Sequence, residues 1–116
     1  SQTETVGRSY KLSVGGSQNV SVKKNLGESI KGDHTAQVKG GRSADIGKDD
    51  VLKVAKKLSV DVGDEITFKT GSASLTLKKD GTIVLSGKDI TISGTGKINV
   101  KADGAMTLKG SKISEN

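Results

Sequence analysis

A β-branched residue returns every eight positions through the first half of this chain, at Val6, Val14, Val22, Ile30, Val38, Ile46, Val54 and Val62. Two positions earlier most units carry a second apolar side chain, at Leu12, Val20, Ala36, Ala44, Leu52 and Val60. Each octad therefore reads apolar, polar, apolar, the period of a strand with one face turned inward. Glycine follows the β-branched residue directly or one position later at Gly7, Gly15, Gly16, Gly32, Gly40, Gly47 and Gly63, where a positive φ or a tightly packed corner would let the chain turn. Strand and corner repeated at a fixed period are the signature of a β-solenoid or β-helix, whose repeats stack into a rod.

Beyond Val62 the alternation continues at Ile66 and Phe68, Leu75 and Leu77, Ile83 and Leu85, Ile90 and Ile92, Ile98 and Val100, Met106 and Leu108, with Ile113 closing the series. The pairs are unevenly spaced, which reads as tighter or looser corners with the inward parity restored in each new strand, because a one-residue slip turns an apolar set to solvent. The chain is thus expected to be one β-helical unit over residues 1–116, with strict octads in 1–62 and looser repeats in 63–116. Residues 48–58 admit a rival reading, since Val51, Leu52, Ala55 and Leu58 stand at helical spacing behind Asp49 and Asp50. Val54, on the octad register, favours a strand there.

Only 31% of the 116 residues are apolar and 2% aromatic, with one Phe, one Tyr and no Trp, so the large side chains of a compact core are missing. One or two inward side chains per octad gain roughly 1.5–3 kcal/mol each, against about 1–2 kcal/mol of backbone entropy for every residue ordered. One chain alone is short of core. Three chains interwound about one axis share that core and complete one another's strand edges. The expected fold is all-β: an obligate homotrimer forming an intertwined triple-stranded β-helix, a triangular prism. Its core column would be the eight octad residues together with Phe68, Leu77, Leu85, Ile92, Val100 and Leu108. Absence of proline suits continuous ladders, and absence of cysteine excludes disulfides and thiolate metal sites. No apolar run is long enough for a membrane-spanning helix. An opening Ser-Gln-Thr so close to the first repeat reads as a fragment of a longer protein.

Chemistry finds little footing. His34 is the sole histidine, and it shares its octad position with Tyr10, Gln18, Leu26, Arg42, Asp50 and Leu58, a mixed set that places it facing solvent or at a corner. No catalytic residue, cofactor or metal site is expected, and the chain does not read as an enzyme. The glycine-rich pieces Gly94-Thr95-Gly96-Lys97 and Gly40-Gly41-Arg42-Ser43 lack phosphate-loop spacing. Nineteen Lys and Arg against thirteen Asp and Glu give a net charge of +6. These charges are dispersed without interleaved aromatics, so no nucleic-acid partner is expected, and the polar face keeps the rod soluble while allowing transient contact with an anionic membrane.

The octads and the distal block resemble the C-terminal needle of the valine-glycine repeat (VgrG) spike proteins of bacterial type VI secretion systems. Within that block the resemblance is carried by Gly63-Asp64, Lys69-Thr70-Gly71-Ser72-Ala73-Ser74, Lys79-Asp80-Gly81-Thr82-Ile83, Gly87-Lys88-Asp89-Ile90 and Lys109-Gly110-Ser111-Lys112-Ile113. The chain is also similar, more distantly, to the puncturing needle of contractile phage tails. The resemblance implies a trimeric needle borne on an N-terminal head that docks on the secretion tube, assembled in the bacterial cytoplasm and then driven through a target envelope. It also implies a cone-shaped protein of the proline-alanine-alanine-arginine repeat (PAAR) type seated on Leu108, Lys109, Gly110, Ser111, Lys112, Ile113 and Ser114, with effectors carried into target cells. A phage tail spike or adhesin stalk is the alternative. Lys23, Lys31, Lys39 and Ala55 depart from the family's pattern, standing where glycine commonly follows the valine.

Overall fold

The computed structural model of the chain describes every residue, Ser1–Asn116. It contains no helix, and its strands are β1 (Glu65–Thr70), β2 (Ala73–Lys78) and β3 (Ile83–Ser86). The chain divides into two compact units, Ser1–Asp50 and Val51–Asn116.

In the first unit the backbone bends at residues 7–8, 15–16, 23–24, 31–32, 39–40 and 47–48, each time directly after the β-branched residue of the octad. The stretches between corners form no backbone hydrogen bond within the chain. A strand is defined by its ladder, so these extended stretches are strands in waiting whose N–H and C=O groups need a partner from elsewhere. The corners differ from expectation in one respect. Positive φ occurs only at Gly71 and Gly81, so no corner of this unit uses the left-handed region. A Cβ added to Gly7, Gly15, Gly32, Gly40 or Gly47 would meet nothing within 4 Å of its own chain. Lys23, Lys31 and Lys39 consequently occupy the first corner residue without altering the turn.

The second unit keeps the interval. Bends at 55–56 and 63–64 are followed by turns at 71–72 and 79–80 and by bends at 88–89, 95–96, 103–104 and 111, a period of eight with a single one-residue offset at 88. Residues 48–58 form no helix, which removes the rival reading. Val51 is 85% exposed and Val54 43%, the opposite-sided placement that strand parity requires.

Two of the corners are hairpin turns, which the sequence reading missed. β1 pairs with β2 and β2 with β3, both antiparallel, in the order β1-β2-β3. The first turn is the two-residue Gly71-Ser72, with φ +53° at the glycine alone, the glycine-first pattern of a type II′ turn. At the second, Gly81 N–H donates to the Lys78 carbonyl and Lys78 N–H to the Thr82 carbonyl, both at 3.0 Å. With Gly81 at φ +93° this is a type I turn closed by a glycine bulge. The ladder runs one residue past β1, where Lys79 N–H donates to the Asp64 carbonyl at 3.0 Å.

Within the sheet these hairpins, rather than loosened corners, set the spacing of the apolar pairs. Across a two-residue turn facing residues have numbers of opposite parity, as in Ile66↔Leu77 and Phe68↔Leu75. The longer turn keeps the parity, as in Leu75↔Leu85 and Leu77↔Ile83. The sheet therefore has one face of Ile66, Phe68, Leu75, Leu77, Ile83 and Leu85, and an opposite face that carries Glu65, Thr67, Lys69, Ser74, Thr76, Lys78, Val84 and Ser86.

Candidate trimer interface

No side chain in the chain is buried, apolar or polar. A folded protein draws its main stabilisation from apolar burial, so a chain that buries nothing by itself must find its core in association. Exposure along the chain is graded by octad position. In residues 1–62 the β-branched residue before each corner is 43–54% exposed, and every other large apolar side chain there is more exposed than that, from Leu12 at 57% upward. Val6, Val14, Val22, Ile30, Val38, Ile46, Val54 and Val62 are thus the positions most sheltered by their own corners. Leu12, Val20, Leu52 and Val60, two residues earlier and of the same parity, stand open beside them.

Beyond the sheet the apolar set moves two residues back within the octad. The residue before the corner becomes small, at Gly94, Ala102 and Gly110, and the apolar residues stand three and five before it, at Ile92 and Ile90, Val100 and Ile98, Leu108 and Met106. The reason is local packing. Ile98 Cγ1 lies 3.0 Å from where a Cβ on Gly94 would be, and Ile90 Cγ1 lies 3.7 Å from the corresponding point on Gly87. At Gly94 the isoleucine of the next octad thus covers the small residue before the corner and crowds out a larger side chain, whereas at Gly87 the contact is an ordinary one.

Phe68, Leu77 and Leu85 come together on the apolar sheet face with Ile66, Leu75 and Ile83. The central strand is the best covered, with Leu75 and Leu77 half-buried, while Phe68, Ile83 and Leu85 on the flanking strands are exposed. An open groove beside this face is lined by Phe68, Leu75, Leu85 and Ile90 among others.

Charge is sorted by position. The corners from residue 7 to residue 56 carry Arg8, Lys23, Lys24, Lys31, Lys39, Lys48 and Lys56 and no acid, the first corner acid being Asp64. Asp64 pairs with Lys79 at 3.6 Å, both largely exposed, so the pair is screened and weak. Asp80 Oδ1 accepts a hydrogen bond from Thr82 N–H at 2.9 Å, and chiefly through that bond its carboxyl is held below the usual range. His34 is exposed and lies outside the corner residues at 31–32 and 39–40. Of the seven residues Leu108 to Ser114, Leu108 and Ile113 are exposed, and none of the seven makes a hydrogen bond within the chain.

Two comparisons bear on this arrangement. A stretch of 36 residues is 58% identical to the type VI secretion system spike protein VgrG1b of Pseudomonas aeruginosa, covering 31% of this chain and 5% of that protein. The chain therefore spans only a small part of the relative it matches. Residues 1–70, more than half of the chain and every octad corner through Gly63, match the pattern of the bacteriophage T4 gp5 C-terminal trimerisation domain, and the chain belongs to that family.

Proposed function

We propose that this chain is a needle segment of a type VI secretion spike that pierces a target envelope and delivers effectors. As a member of a trimerisation-domain family it assembles as a homotrimer, and its role in a spike is structural. The observation that carries the mechanical reading is the combination of corners every eight residues with extended segments that neither pair nor bury anything within one chain. Such a chain gains order only by winding with its copies, and the product is a narrow rod held by ladders along its length. No step in this function asks for bond chemistry.

In this reading residues 1–116 form one needle piece, and Val6 to Val62 with Phe68, Leu77, Leu85, Ile92, Val100 and Leu108 line its axis. The needle hangs from a head that docks on the secretion tube and is assembled in the cytoplasm before it is injected. Basic corner residues from Arg8 to Lys56 favour brief contact with anionic headgroups as the rod passes. Leu108 to Ser114 supply the surface on which a PAAR-type cone sits by continuing the β-stack. The phage name of the family supports a second reading, a tail-spike stalk. Delivery decides between them. A full-length spike bearing Val38→Asp in this segment should lose effector delivery into neighbouring cells while the protein is still made. Undiminished delivery by a spike whose needle cannot close would overturn the proposal.

A further inference from the structure

We propose that the β1-β2-β3 meander sets the axial register of the trimer, by packing its apolar face against the same face of two further copies around the threefold axis. The inference rests on the trimeric assembly of the family and is independent of the spike role.

The octads cannot choose a register by themselves. Each presents a Val or Ile before a corner and an extended stretch whose backbone is unpaired within the chain. Within residues 1–62 a chain displaced by one octad, about 4.8 Å along the axis, still sets a Val or Ile opposite a Val or Ile before each corner. Repetitive assemblies escape this degeneracy with one non-repeating feature. The meander is that feature here. It is the one place where the chain ladders with itself, and its two tight turns make contacts so local that the sheet can form before assembly.

Its occupant follows from the continuity of the interface. The family match ends at residue 70 and so takes in all of β1, which places Ile66 and Phe68 both in the trimerisation sequence and on the apolar face. The other side of the sheet carries the charged residues Glu65, Lys69 and Lys78 with Thr67, Ser74, Thr76, Val84 and Ser86, a mostly polar set suited to solvent. When the three chains are in register, three apolar faces meet. When one slips by an octad, part of that chain's face looks onto octad surface and its exposed aliphatic and aromatic groups lose their partners.

The test uses the whole chain, which has no cysteine of its own. A spin label on Ser17→Cys, an exposed residue in the repetitive part, reports distances between copies by pulsed dipolar spectroscopy, and light scattering confirms the mass of each sample. The parent should give one narrow distance, as threefold symmetry demands. Leu75→Asn/Leu77→Asn, and the milder Leu85→Ala, should remain trimeric and give broadened or multiple distances, more so for the double variant. Register is judged on whichever variants stay trimeric. A narrow parent-like distance in those trimers overturns the proposal. So does loss of the trimer in both variants, because the meander would then hold the chains together rather than align them. A monomeric parent would instead refute the assembly on which the inference rests.

Discussion

Replacing Gly71 by alanine and, separately, Gly47 by alanine distinguishes the two kinds of corner in this chain. Both glycines follow the same eight-residue interval, and a Cβ at either would meet nothing within 4 Å of its own chain. They differ in backbone alone: Gly71 has φ +53°, whereas Gly47 is not in the positive-φ region. Alanine at Gly71 must adopt a left-handed conformation, at about 1–2 kcal/mol per chain, which the trimer multiplies to about 3–6 kcal/mol. Alanine at Gly47 suffers no such strain and restricts the unfolded chain, a gain of about 0.4–1 kcal/mol per chain. Neighbouring copies accommodate a side chain at this corner position, since Ala55 and Lys39 occupy it in other octads. The assay is urea unfolding at several protein concentrations, fitted to a trimer in equilibrium with three unfolded chains. Gly71→Ala should lower the midpoint and Gly47→Ala should leave it unchanged or raise it. A Gly71→Ala midpoint at or above that of Gly47→Ala would refute the distinction between bend and hairpin.

Further outcomes follow from the same geometry. Val38→Asp, which sets three carboxylates near one axis, should cost several kcal/mol and prevent or sharply weaken assembly, whereas His34→Asp should be mild, as sedimentation will show. Because the folded Asp80 carboxyl is held below its unfolded value of about 3.9, it contributes stability that is present above that pH and lost as pH falls through the folded value. Asp80→Ala should therefore flatten part of the loss of stability on acidification, measured by urea midpoints between neutral pH and pH 2. Lys79→Ala should change stability by less than about 1 kcal/mol, since its partner Asp64 lies in solvent. Deleting residues 110–116 should leave the trimer intact and abolish binding of a cognate cone protein, tested by titration.

The octad was legible because a β-branched residue before every corner is a direct imprint of where the chain bends, and the bends at 7–8 through 63–64 follow it without exception. What the sequence obscured was why glycine is there. Glycine reads as a demand for positive φ, yet the corners bend without it, and the two glycines that do need it, Gly71 and Gly81, close hairpins. Asp80-Gly81 between alternating apolar runs and the glycine-first pair Gly71-Ser72 were available as hairpin signals. They were masked because both turns fall on the octad interval and look like further corners. The small residue at Gly94 was equally opaque, since it makes sense only once Ile98 is seen folded over the preceding corner. Strands outside the meander could not be legible in one chain's pairing, because a ladder between copies leaves no mark within a copy.

The central claim is that the core of this protein lies between chains, and it is tested most directly by the molar mass of the folded species in solution. Light scattering across a dilution series should give three times the chain mass of 12.0 kDa, with folded structure lost together with the trimer. A monodisperse 12.0 kDa species that keeps its β-structure on dilution would contradict it.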